Sequence, residues 1–119
     1  MTTKDIAARL VDLCRQGQFD TAQKELFTND FVSIEPYASA DFEKETRGLQ
    51  ANLDKGAKWK SMVEKMHGME VSDPIVAGSS FACTMRMDVT MKGSERMDVT
   101  ELCIYTVKDG KIISEEFMM

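Results

Sequence analysis

Apolar residues in the first half of the chain recur at helical spacing. The first run ends at Gly17, and it is preceded by Thr2 and Asp5, which have the spacing of a capping box. A second, shorter run spans residues 20–27, and a third begins after Gly48. The pattern therefore predicts three helices, whose apolar faces contain Ile6, Leu10, Leu13 and Cys14, then Ala22, Leu26 and Phe27, and finally Leu49, Leu53 and Trp59.

Between the second and third helices, the stretch FVSIEPY, residues 31–37, has the alternation of a strand. Val32 and Ile34 fall on one side, Ser33 and Glu35 fall on the other, and the proline that follows ends the strand. The polar residues between this strand and the third helix are predicted to form a surface loop.

After about residue 62 the apolar period becomes two, and turn residues appear at regular intervals. This pattern predicts antiparallel strands. One side of one strand carries Phe81, Cys83, Met85, Met87, Val89 and Met91, and one side of the next carries Met97, Val99, Glu101, Cys103, Tyr105 and Val107. Helices followed by such strands are typical of an α+β domain, although the period alone does not show which face is inside.

The length and charge of the chain restrict the classes of protein to consider. Its 119 residues favour a single domain, residues 1–119. The 15 Lys and Arg residues are interspersed among 20 Asp and Glu residues, which gives a net charge of −5 and no basic patch for nucleic acid. No apolar segment has the length of a signal peptide or a membrane span, so we expect a cytoplasmic protein without a membrane partner.

The cysteine and histidine content argues against a metal site. The three cysteines form no CxxC pair, there is one histidine, and the acidic residues are not grouped at ligand spacing. We interpret Cys14, Cys83 and Cys103 as small buried residues in a reducing compartment. No metal or other cofactor is expected.

The order of four motifs resembles the nuclear transport factor two-like superfamily, and within it the SnoaL-like and ketosteroid-isomerase-like proteins. These motifs are the GQFD turn, the NDFVSIEP strand, the RGLQANLDK helix and the VTELCIYTVKDGKIISEEF hairpin, and the likeness covers roughly residues 4 to 118. The resemblance implies a cystatin-like cone, in which N-terminal helices pack in a strongly curved antiparallel sheet. It also implies an apolar pocket at the open end and a homodimer through the outer face of the sheet.

The resemblance gives Glu35 a candidate role. In ketosteroid isomerases the general base is an acidic residue on the strand after the second helix, followed by proline, and that position matches Glu35. The oxyanion-hole tyrosine falls on Leu10 and the protonated aspartate falls near Cys103, so the resemblance transfers the base alone. A carboxylate among apolar walls has a raised pKa and can shuttle a proton. The alternatives are a solvated glutamate at a strand end, or one paired with Arg47.

His67 and Glu101 are the other catalytic candidates. Period two places His67 on the side of Met69 and Val71, where it is either a pocket base or a core histidine with one hydrogen bond. Glu101 lies within an apolar row, which indicates a pocket, an interface ion pair or an exposed end. Further side chains are expected to line a ligand pocket, or else to be ordinary core residues: Trp59, Tyr105, Glu115, Met85 and Met87.

Two functional hypotheses follow. The first is a protein that holds a small apolar ligand and acts as a cofactor-free isomerase, cyclase or dehydratase through carboxylate acid–base chemistry. The second is a ligand-binding protein without catalysis, or a dimeric interaction module, because this fold serves many functions.

Overall fold

Three helices precede most of the strands in the computed structural model, which describes residues 1–119. The helices are α1 (Thr3–Arg15), α2 (Phe19–Leu26) and α3 (Leu49–Met62). The strands are β1 (Phe27–Ile34), β2 (Glu45–Arg47), β3 (Val63–Val71), β4 (Ile75–Ala77), β5 (Ser80–Met91), β6 (Arg96–Lys108) and β7 (Lys111–Met118). The α+β prediction is confirmed, and the short strand β2 lies within the stretch that was expected to be a loop.

Helix α1 begins at the predicted capping box. The backbone N–H of Asp5 donates to Oγ1 of Thr2 at 3.2 Å, and the backbone N–H of Thr2 donates to Oδ2 of Asp5 at 3.0 Å. The apolar face of α1 is buried against α2 and the concave side of the sheet. No helix in the structure combines the length and apolar character needed to cross a membrane.

The sheet is mixed rather than entirely antiparallel, in contrast to the prediction. Its strand order is β2-β1-β7-β6-β5-β3, and β4 pairs with β5 beside β3. All the pairings are antiparallel except that of β1 with the C-terminal strand β7, which is parallel. This long-range pairing has no local sequence signal, because the β3–β6 strands separate its two partners in the chain.

Irregular pairings bend the sheet around the helices. Phe27 of β1 pairs with Ile112 of β7, but the next pair is Val32 with Ser114, so residues 28–31 bulge opposite Ile113 alone. The pairing of β6 with β7 is also irregular beside this point. Bulges increase the local twist and bend of a strand, which gives the sheet its concave inner face.

The register confirms the faces predicted for the two long strands. Phe81, Cys83 and Met85 of β5 lie directly opposite Tyr105, Cys103 and Glu101 of β6. The inner face contains most of these buried side chains, whereas the outer face carries exposed ion pairs such as that of Arg86 with Asp98 at 2.6 Å.

Helix α3 is tied to β2 by a buried amide. Asn52 is 2% exposed, and its Nδ2 donates to the backbone oxygens of Thr46 at 3.1 Å and Gly48 at 2.8 Å. The apolar residues predicted for its face, Leu49, Leu53 and Trp59, are only half-buried. The position of α3 therefore depends strongly on this polar anchor.

The substitution Asn52→Ala should lower the free energy of unfolding by about 1–3 kcal/mol, because two buried carbonyls lose a donor. Gln50→Ala is the matched control, since the Gln50 amide makes one exposed hydrogen bond, to Asp54 at 2.9 Å. Urea denaturation measures both variants. Equal stabilities for the two would show that Asn52 is not an anchor.

Candidate functional site

Four charged side chains meet on the inner face of the sheet, near the end of β1. The ammonium group of Lys55 donates to Oε1 of Glu35 at 2.7 Å and to Oγ of Ser33 at 3.4 Å. Glu101 and Glu115 lie close enough for the charges of Glu35 and Lys55 to change their pKa values. We call Glu35, Lys55, Glu101 and Glu115 the carboxylate cluster.

The strand pairings bring these residues together. Ser33 lies beside Glu115 in the parallel register of β1 with β7, and Glu35 follows two residues later on the same side. Tyr105 of β6 lies opposite Glu115, and Glu101 is four residues before Tyr105, on the same face. The strands β6 and β7 and the residue that follows β1 thus bring carboxylates to Lys55, which lies in the middle of α3.

Burial changes the protonation of two of the carboxylates. Desolvation raises the pKa of Glu101 to about 7, the charge of Glu35 adds to the rise, and Lys55 opposes it. Desolvation also raises the pKa of Glu115 to about 7, against a hydrogen bond from Ser33 and the charge of Lys55. Both groups can therefore gain or lose a proton near neutral pH.

Glu35 pairs with a different cation from the one considered in the sequence analysis. Its carboxylate contacts Lys55, whereas the guanidinium of Arg47 donates to the backbone oxygen of Asp30 at 3.3 Å. Sequence reasoning missed Lys55, although the residue follows Asn52 by three and precedes Trp59 by four and so shares their helical face. That spacing was the available signal.

The predicted side of His67 is wrong. The pairing of β3 with β5 shifts register at this residue, so His67 does not stay in step with Met69 and Val71. Its Nε2 instead lies 2.8 Å from Oγ1 of Thr90, which shares the outer face with Asp88. The bulge therefore places His67 on the opposite side of the sheet from the carboxylate cluster.

The predicted ligand-lining residues occupy two environments. Tyr105 is buried and stacks on Phe81, with ring centroids 4.8 Å apart, and burial together with the Glu115 carboxylate raises its pKa well above the ordinary value. Met85 is buried opposite Glu101, whereas Met87 and Trp59 are half-buried. Ile112 and Glu115 are both buried on the inner face although they are three residues apart, because Ile113 forms the bulge in the pairing of β7 with β6.

A hollow of about 260 Å³ opens beside Lys55, between α3 and the segment before it. Its lining is mainly polar, in contrast to the apolar pocket that the resemblance implied. Lys55 belongs both to this lining and to the carboxylate cluster, whereas Glu35, Glu101 and Glu115 do not line the hollow. The lining includes Asp41, Phe42, Thr46, Asp54, Lys55 and Lys58.

The three cysteines are free and buried, as expected. Cys83 and Cys103 lie opposite each other on β5 and β6. Burial raises the pKa of Cys14 to about 12. The hydrogen bond between Cys83 and Cys103 raises the pKa of Cys103, to which burial adds, and lowers the pKa of Cys83.

A profile of the SnoaL-like domain matches residues 1–119. The chain belongs to the SnoaL-like domain family. This result confirms the resemblance drawn from the motifs of the sequence. A comparison of this SnoaL-like domain with curated proteins gave no match.

Solved structures with the same fold support the assignment. A protein from Mesorhizobium loti, proposed to be a SnoaL-like polyketide cyclase and also labelled a carbohydrate phosphatase, is 32% identical, with full coverage of both chains and a TM-score of 0.92. A protein of cystatin-like fold from Xanthomonas campestris is 18% identical over 99% of this chain and 90% of its own, with a TM-score of 0.83. A ketosteroid isomerase-like protein from Catenulispora acidiphila, in complex with trimethylamine, is 16% identical over 99% and 87%, with a TM-score of 0.75.

The raised pKa values predict how stability depends on pH. Glu101 and Glu115 bind protons more tightly in the folded chain than in the unfolded chain, where a glutamate has its ordinary pKa of 4.5. The stability that this tighter binding adds to the folded chain is thus fully present below about pH 4.5. It is lost as the pH rises to about 7, and the free energy of unfolding falls by at most about 3 kcal/mol for each group. Glu115→Gln should flatten this part of the stability profile in urea denaturation, because the amide stays neutral.

Glu116→Gln is the matched control for this measurement. Glu116 is adjacent in sequence but pairs with Ile34 and Ile104 on the outer face. This variant should keep the slope of the wild-type protein between about pH 5 and pH 7. A Glu115→Gln profile parallel to that of Glu116→Gln would contradict the assigned protonation of Glu115.

Proposed function

We propose that this SnoaL-like domain binds a small carbonyl compound at the carboxylate cluster and moves a proton on it without a cofactor. The observation that carries the proposal is the meeting of an ion-paired carboxylate, Glu35, with two carboxyls that titrate near neutral pH, Glu101 and Glu115. Groups with different protonation states in one site can act as base and acid in the same reaction.

In this proposal Glu35 and Glu101 have different roles. Glu35 is the proton acceptor, since Lys55 holds its carboxylate in place at 2.7 Å. A proton leaves the carbon next to the substrate carbonyl for Glu35, and the electrons of that C–H bond form an enolate. Protonated Glu101 donates to the enolate oxygen and stabilises the charge that develops there. Where the substrate has a carbon–carbon double bond β,γ to the carbonyl, the enolate extends over that bond. Glu35 then returns the proton to the γ carbon, and the double bond moves into conjugation, which completes an isomerisation.

The relatives support a small organic ligand without identifying it. The name of the Mesorhizobium loti protein refers to a polyketide cyclase, and the Catenulispora acidiphila protein was solved with trimethylamine. Met85, which lies opposite Glu101 on β5, gives the inner face apolar surface beside this carboxylate. A carbonyl compound with a largely apolar body suits this combination.

Glu35→Gln should retain the fold and lower turnover by roughly 100-fold or more, because the amide cannot accept the proton. A thermal-shift screen of the wild-type protein against small ketones, steroids, aromatic polyketide-like compounds and fatty acids selects the substrate class for the assay. Glu45→Gln is the control, since Glu45 is an exposed residue of β2 that pairs with Ile34.

Each outcome of this experiment has a definite meaning. Equal turnover by Glu35→Gln and wild type would remove Glu35 from the mechanism. Stabilisation by one class of compound, unaffected by the substitution and without any product, would instead support the second candidate, a binding protein. The hollow beside Lys55 supports that candidate too, since binding there requires no proton transfer. No stabilisation by any class would contradict both proposals.

We also propose that the outer face of the sheet forms a homodimer. Leu102 and Met118 lie opposite each other on β6 and β7, and they are 38% and 49% exposed. Ile75 and Ile104 continue the apolar surface through their pairings with Ala82. Adjacent exposed apolar side chains on a flat strand surface are typical of an interface between protein chains.

Leu102→Lys should convert the dimer to a monomer, because the new ammonium group would be buried without a partner. Met66→Lys is the control, since Met66 is also 38% exposed but pairs with Val89 of the inner row. Light scattering at micromolar concentration distinguishes the two states. A monomeric wild-type protein would contradict the dimer.

A further inference from the structure

A second hollow lies behind β1 and β7, on the opposite side of the sheet from the carboxylate cluster. Val32 and Ser114 form part of its wall, and they alternate along their strands with Ser33 and Glu115 of the inner face. Its volume of about 540 Å³ is within the range of small-molecule sites. Its polar lining includes Thr28, Asp30, Arg47, Lys108, Asp109 and Lys111.

The bulge of β1 creates this hollow. Residues 28–31 have only Ile113 opposite them, so β1 leaves the ladder and separates from the turn between β6 and β7. The gap is bordered by β2 on one side and by this turn on the other. The shape of the hollow is therefore set by backbone geometry.

Three cations from two separate parts of the chain line the hollow. Arg47 donates to the backbone oxygen of Asp30 at 3.3 Å, and Lys111 donates to that of Glu25 at 2.7 Å. None of Arg47, Lys108 and Lys111 has a carboxylate oxygen within 4.0 Å. Backbone carbonyls orient two of these groups without neutralising their charge, so the three cations outnumber the two carboxylates of the lining, those of Asp30 and Asp109.

Polar groups on the β1 side complete the lining. The Oγ1 atom of Thr28 is shielded from solvent and has no hydrogen-bond partner in the protein. Because this oxygen is shielded, the charged side chains are the groups of the lining that can contact a ligand. Asp30 and Asp109 bring two negative charges to the same hollow, which disfavours a polyanion such as nucleic acid and favours an anion of low charge.

We propose that this hollow is a binding site for a small oxyanion, a ligand whose carboxylate or phosphate group is held by Arg47, Lys108 and Lys111. Guanidinium and ammonium groups donate charge-assisted hydrogen bonds to such oxygens. The site is separate from the carboxylate cluster, whose negative charge would repel an oxyanion. It does not depend on the proposed acid–base chemistry.

Amide NMR titrations of the ¹⁵N-labelled protein test the site, with inorganic phosphate and malonate as probes and sodium chloride keeping the ionic strength constant. Shifts that saturate at residues 28–32, 47 and 108–114 are expected. Lys108→Gln should weaken the binding by roughly tenfold, through loss of one charge-assisted contact. Lys111→Gln provides a second variant, and thermal melts verify the fold of both.

Lys92→Gln is the matched control, because Lys92 is an exposed lysine at the turn between β5 and β6, outside the hollow. Its titration should equal that of the wild-type protein, as should that of Glu35→Gln. Saturation by phosphate alone or by malonate alone would support the site and identify its preferred group. Shifts that never saturate, or that Lys92→Gln and Lys108→Gln reduce equally, would overturn the proposal.

Discussion

The parallel pairing of β1 with β7 is the constraint on which the inner face depends. It places Ser33 beside Glu115 and carries Glu35 to the same side, two residues further along. At a free edge of the sheet, Glu35 would be a solvated charge of little consequence. In the folded chain α3 packs against β1, so Lys55 reaches both Ser33 and Glu35. Residues that are far apart in the sequence, near β1 and on β7, thus form one site.

The balance of charge within this site explains why protons remain there. A single ammonium, that of Lys55, faces three carboxylates, and its hydrogen bond goes to Glu35. Glu101 and Glu115 are left without a cation of their own in a buried position, where ionisation is costly. Protonation relieves both the desolvation and the mutual repulsion, which is why the two pKa values rise to about 7.

Local patterns predicted the elements and faces well, and they failed where the backbone breaks its period. The capping box at Thr2 and the row that contains Glu101 followed directly from spacing, since caps and period two are local properties, whereas the spacing did not show that this row faces inward. His67 was placed on the wrong face because one bulge reverses the alternation, and a bulge has no clear signal in a single sequence. Lys55 was missed because its partner Glu35 is twenty residues away, across a loop.

The same irregularity has opposite effects on the two sides of the sheet. Where residues 28–31 bulge from β7, the sheet bends and its concave face encloses the carboxylates, which raises their proton affinity. Behind the bend the ladder opens, and Arg47 and Lys111 bond to backbone carbonyls. One ammonium faces three carboxylates in front of β1, whereas three cations and two carboxylates line the hollow behind it. A chain with net charge −5 can in this way present chemically distinct surfaces on one pair of strands.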